Sequence, residues 1–125
     1  MLDKMLQKQK ELQERLGYDF SSMTREEITA YIKEFSIHLT QEMHEMLYFL
    51  PYFKSWKDYS AMTIEEYEAD MEEARKEFID MFHFMLNIAL ALDMSGKDIY
   101  DMYMEKNEEN HKRQDEGYTH DKSYR

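Results

Sequence analysis

Glu77-Phe78-Ile79-Asp80-Met81-Phe82-His83-Phe84-Met85-Leu86-Asn87-Ile88-Ala89-Leu90-Ala91-Leu92 is the stretch that decides the fold. From Phe78 to Leu92 it is apolar almost all round and holds neither proline nor glycine, so it reads as the central helix of a bundle or the face of a dimer. Burial on two of its sides is expected. At its head, Glu77 and Asp80 stand three residues apart, a spacing that projects both carboxylates to one side of a helix.

Working outward, Thr63-Ile64-Glu65-Glu66 is a capping-box pattern that opens this helix and carries it to about Asp93. A second such pattern, Thr24-Arg25-Glu26-Glu27, opens an earlier helix. It runs through Ile28, Ile32, Phe35, Leu39, Met43 and Met46 to about residue 50, where Pro51 follows. A short amphipathic helix on Leu2, Met5, Gln9, Leu12 and Leu16 comes first, with Gly17 placed to stop it. Ser95-Gly96-Lys97-Asp98 caps a fourth, reaching about Glu116. With 3 Gly, 1 Pro and 12 Met in 125 residues, turn formers are scarce and helix formers abundant. The predicted class is all-α, a four-helix bundle-like architecture. It forms one domain over residues 1–118, and a polar tail follows at 119–125.

Composition removes several function classes. A net charge of -11 leaves no broad cationic surface for a nucleic-acid backbone, whereas a free nucleotide carried with a cation stays compatible. The absence of cysteine excludes a disulfide framework and a thiolate site. The charged N-terminus lacks a signal-peptide run, and no stretch of about 18 apolar residues offers a membrane span, so the expected location is the cytoplasm with no membrane partner.

The second predicted helix carries its own acid pair, Glu42 and Glu45, at the same three-residue spacing as Glu77 and Asp80. Four such carboxylates facing one another repel unless a cation lies between them, and oxygen donors suit magnesium. In a chain with 27 Asp and Glu, a solvated helix face is the plain alternative, and the run from Glu65 to Glu73 is read that way. On the fourth helix, Tyr103, Lys106, Asn110, Arg113 and Gly117 recur at three- or four-residue steps. Such a face can hold phosphates, or it can pair its cations with Glu105, Glu108 or Glu109. Gln9 interrupts an apolar face and needs a partner, for which neighbouring backbone is the plainer choice. His83 reads as a hydrogen-bonded core histidine, and His38, one turn before Glu42, is better placed to reach the acids. Asn87 either reaches a substrate or bonds across the bundle. Met81 and Met85 read as adaptable packing, and Trp56 reads first as a core or interface anchor.

Several blocks, taken in order, resemble the all-α nucleoside triphosphate pyrophosphohydrolase superfamily, specifically the dimeric dUTPase group common in phages, with MazG-like enzymes as cousins. Gln9-Lys10-Glu11-Leu12-Gln13-Glu14-Arg15-Leu16 is similar to the first-helix block in which a Gln approaches the base. Glu42-Met43-His44-Glu45 resembles the first metal motif, and Phe53-Lys54-Ser55-Trp56-Lys57 the aromatic-basic segment after it. Glu77 to Phe84 resembles the second metal motif, and Lys106 to Tyr118 the C-terminal block that closes over phosphates. Gln41 stands where MazG-like motifs often begin with an acid, and residues 46–76 are longer and more acidic than the family pattern.

The resemblance implies hydrolysis of a deoxynucleoside triphosphate to the monophosphate and pyrophosphate, with dUTP foremost. The alternatives are dCTP, dGTP or a modified nucleotide, and, in another class, a noncatalytic helical interaction protein. It implies magnesium, with manganese as a substitute, on Glu42, Glu45, Glu77 and Asp80, with Glu45 or Glu42 taking the proton of the attacking water. Lys57, Lys106, Arg113 and Tyr118, helped by Asn110, would meet the phosphates. The base would lie against Trp56 with Gln9 and Gln13 at its edge, and subunits would pair as a homodimer or a dimer of dimers.

Overall fold

The computed structural model describes residues 1–117 and is all-α, with no strand among the described residues. Its helices are α1 (Leu2–Arg15), α2 (Arg25–Phe49), α3 (Ile64–Ala91) and α4 (Gly96–Asp115), with a single 3-10 turn at Phe20–Ser22 between the first two. All three anticipated capping boxes form: the side chains of Thr24, Thr63 and Ser95 accept from the backbone N–H groups of Glu27, Glu66 and Asp98, and those three acids reach back. Gly17 ends α1 at φ 100, and the Tyr18 N–H donates to the Gln13 carbonyl while the Gly17 N–H donates to that of Glu14. Asp93 ends α3 by the same device at φ 57, which explains why the helical pattern stops there without a glycine.

α2 and α3 form an antiparallel pair held by an aromatic cluster. Tyr31 stacks on Phe35 at 4.1 Å, Tyr18 and Phe20 meet Tyr31 edge-on at 5.2 and 5.0 Å, and Phe84 crosses from α3 to lie 5.9 Å from Phe35. Ile28, Ile32 and Ile88 pack around this centre. α1 lies along α3, and Asp3 accepts the Gly96 N–H at 2.8 Å, so the start of α1 fixes the start of α4. A Cβ at residue 96 would stand 2.5 Å from that Asp3 oxygen, which is why glycine occupies the junction.

α4 leaves α3 at 102°, and its main packing is against α1, so it does not run alongside the other three helices. The expectation that α3 is buried on two sides is not met within one chain. Phe78, Ile79 and Met85 remain about half exposed, because a single layer of α1 and α2 covers only part of a helix that is apolar nearly all round. Among the described residues, no single helix is long and apolar enough to cross a membrane.

Candidate active site

Packing register explains how the acids meet. Phe35 on α2 lies against Phe84 on α3, and a two-turn step from each, in opposite chain directions, arrives at Glu42 and Glu77. One carboxylate oxygen from each of Glu42, Glu45 and Glu77 lies within 4.8 Å of the others. The Oε2 atoms of Glu42 and Glu77 are buried without a hydrogen-bond partner. Burial, reinforced by Glu77, Glu45 and Asp80, pushes the Glu42 carboxyl up to about 7. Glu77 is raised too, first by burial and then by the charges of Glu45 and Asp80. Asp80 is not among the three converging acids, although its charge acts on Glu42 and both line one cleft.

Glu42 and Glu77 are half-buried, each with one buried, unpartnered oxygen, and Glu45 is exposed; all the donors are oxygen, the kind that a hard divalent cation takes up, so the residues present fit such an ion. Nitrogen donors are not needed. His38 turns instead to Glu34 at 3.6 Å and Gln41 at 3.4 Å, with its ring against Phe35 and Phe84.

Beside the acids, α1, α2 and α3 enclose an open cleft of about 430 Å³ whose lining includes Gln9, Gln13, Glu42, Asp80, His83 and Asn87. Its floor is polar although its walls are not. Gln9 Nε2 donates to Asn87 Oδ1 at 2.6 Å, and Gln9 Oε1 faces His83 Nδ1 at 2.7 Å. The Tyr31 hydroxyl donates to Gln13 Oε1 at 2.8 Å. Gln9 is therefore satisfied by side chains on α3 and not by backbone, because α1 and α3 pack closely enough for two amides to meet. His83 makes the expected hydrogen bond but stays exposed at the cleft edge, not in the core. Asn87 bonds across the bundle and lines the cleft as well. Tyr31 is the functional candidate that reading for motifs missed. A signal existed: a tyrosine one turn before Phe35 on the core stripe of α2 needs a partner for its buried hydroxyl.

Other anticipated contacts are not assembled in one chain. Trp56, 79% exposed, and Lys57 lie on the connection between α2 and α3, outside the cleft lining. That segment folds on itself, with Tyr52 edge-on to Tyr59 and the Lys54 N–H donating to the Tyr59 hydroxyl oxygen. Lys106, Asn110 and Arg113 are exposed on α4, and Arg113 holds Glu109 at 2.6 Å. Tyr118 and the tail at 119–125 lie outside the described residues.

A helical chain that brings unpaired acids to the rim of a polar-floored cleft has the layout of a divalent-metal hydrolase, and similarity to known proteins specifies which. The family model for dUTPase matches residues 1–96 and 85–118, so the chain belongs to the dUTPase family and is a nucleoside triphosphate pyrophosphohydrolase. A dCTP pyrophosphatase of Enterobacteria phage LZ5 is 32% identical over 141 residues, covering 94% of this chain and 82% of the relative. A dCTP pyrophosphatase of Enterobacteria phage T4 is 38% identical over 71 residues, 50% of this chain and 42% of that relative. No solved structure matches. Membership implies dependence on a divalent metal, for which Glu42, Glu45 and Glu77 form a possible site.

Proposed function

We infer that the chain uses magnesium to hydrolyse a deoxynucleoside triphosphate to the monophosphate and pyrophosphate, with dUTP as the leading substrate. The observation that carries this reading is the convergence of Glu42, Glu45 and Glu77 within 4.8 Å, with an oxygen on Glu42 and one on Glu77 buried without a hydrogen-bond partner. Glu42, Glu45, Glu77 and Asp80 would hold the metal, with manganese able to replace it. When bound, such an ion neutralises phosphate oxygens and lowers the pKa of a coordinated water. Glu45 or Glu42 accepts the proton of the attacking water. Lys57, Lys106 and Arg113, with Tyr118 and Asn110, offset charge on the phosphates, and Arg113 exchanges Glu109 for them.

In one chain, α4 and Trp56 stand apart from the cleft, and α3 leaves Phe78, Ile79 and Met85 half exposed. A homodimer, alone or as a dimer of dimers, accounts for both features by covering that face and bringing a second set of cationic side chains near the acids. A second reading, dCTP as substrate, is favoured by the names of both phage relatives.

The test is pyrophosphate release with magnesium from dUTP, dCTP, dGTP, dATP, dTTP and the ribonucleotides, against an EDTA control. Release from one deoxynucleotide, lost on chelation, is expected. No release from any of them, or release indifferent to EDTA, contradicts the reading.

A further inference from the structure

α4 is a lever anchored at its foot. Gly96 is buried and Ile99 half-buried, whereas every residue from Asp101 to Asp115 except Asn107 is exposed. The ion pairs of Lys97 with Asp101 and of Arg113 with Glu109 lie within α4, so they stiffen it without tying it to the body. At the foot, starting the helix and directing it have separate devices. Ser95 and Asp98 start α4 through their own capping box. The Gly96 N–H is taken by Asp3 at 2.8 Å, from 93 positions away. Gly96 has no left-handed backbone that would call for glycine, and glycine supports a helix less well than alanine. What its missing Cβ provides is room, since that atom would stand 2.5 Å from Asp3 Oδ1. Asp3 in turn belongs to the body of the molecule, because α1 buries Leu6 and bonds Asn87 and His83 on α3 through Gln9.

We propose that Asp3 is a positioning residue: by holding the Gly96 N–H it sets the angle of α4, and so the place of Lys106 and Arg113 against the phosphates of the nucleotide. The proposal rests on the pyrophosphohydrolase reading above, in which those two cations offset phosphate charge. At about 1.5 Å per residue, Lys106 lies about 15 Å and Arg113 about 25 Å along the helix from Gly96. A tilt of about 10° at the foot therefore carries Arg113 about 4 Å sideways. A misplacement of about 1 Å is already costly for a group that must meet developing charge. Asp3 itself touches neither substrate nor metal. Its effect passes through the cations of α4, most of all through Arg113, which the tilt moves furthest.

The experiment measures kcat/KM for dUTP and dCTP with magnesium, beside manganese binding by electron paramagnetic resonance, on the wild-type chain and on Asp3→Ala, Asp3→Asn and Gly96→Ala. Asp3→Ala and Gly96→Ala should each lower kcat/KM by about tenfold and leave manganese binding unchanged. Asp3→Asn keeps an acceptor oxygen for the Gly96 N–H and should stay within about threefold of wild type. In an Arg113→Ala background, Asp3→Ala should cost less than about threefold, a coupling that a general loss of stability would not produce. If Asp3→Ala does not fold, Gly96→Ala carries the same comparison, because it displaces the carboxylate without removing it. An undiminished kcat/KM in the folded variants, or an equal loss with and without Arg113, overturns the positioning role and leaves the pyrophosphohydrolase reading intact. No release from either nucleotide by the wild-type chain overturns both.

Discussion

Glu72 and Glu73 precede Glu77 on α3 by little more than one turn, yet their surroundings differ completely. Glu72 lies 3.2 Å from Arg75 and Glu73 3.3 Å from Lys76, both in water, whereas Glu77 faces Glu42 and Glu45 and has a buried oxygen with no partner. The first group is balanced by its own helix at separations of three residues, contacts worth only a few tenths of a kcal/mol each. The second is left unbalanced by the whole described chain, since no ion pair there reaches Glu42, Glu45 or Glu77. An unbalanced cluster costs stability, and its retention at the mouth of a cleft is what separates a site from a solvated face.

Mutation is the strongest way to break this comparison. Glu77→Ala or Asp80→Ala should reduce turnover on the order of 10^3-fold, while Glu72→Ala and Glu73→Ala should leave it within about twofold, with circular dichroism showing all four variants helical. Equal losses from the two groups would erase the distinction. A smaller effect is expected at the cationic face of α4: Lys106→Ala or Arg113→Ala should lower kcat/KM by about 10- to 100-fold without weakening metal binding, as judged by steady-state kinetics beside calorimetry.

Acidity sharpens the contrast further. Glu42 in the folded chain titrates near 7, above its ordinary 4.5, so the metal-free fold keeps a proton that the unfolded chain has released. The associated stability is fully present below about 4.5 and is lost as the pH rises through about 7. Without metal, thermal unfolding should therefore move down by a few degrees across that window. Magnesium should restore it at the upper end, and Glu42→Gln should flatten the dependence. The smallest effect belongs to the outer half of α3. Thr63→Ala removes the capping oxygen that accepts from Glu66 and should cost about 1 kcal/mol by denaturant unfolding, leaving turnover unchanged.

Element boundaries were legible wherever a side chain bonds its own local backbone. Thr24, Thr63 and Ser95 announced three helix starts, and Gly17 announced a stop, because those devices involve residues three or four positions apart. The pairing of Glu42 and Glu45 with Glu77 was readable as two short spacings plus the expectation that two amphipathic helices pack together. What set their register, the contact of Phe35 with Phe84, is tertiary and has no local mark. The direction of α4 was hidden for the same reason, since it follows from Asp3 holding Gly96 across 93 positions of chain. The partners of Gln9 were misjudged because Asn87 and His83 lie more than 70 residues away, and the separate role of Tyr31 was hidden by its resemblance to ordinary core stripe.

The central claim is that Glu42, Glu45 and Glu77, with Asp80 beside them, hold a divalent cation and that Glu72 and Glu73 on the same helix do not. It is tested most directly by titrating manganese into the metal-free chain and following the free ion by electron paramagnetic resonance, with Glu42→Gln, Glu77→Gln and Glu72→Gln alongside. Saturable binding in the wild type and in Glu72→Gln, lost in Glu42→Gln and Glu77→Gln, is the predicted result. Binding undiminished in Glu42→Gln and Glu77→Gln would contradict it.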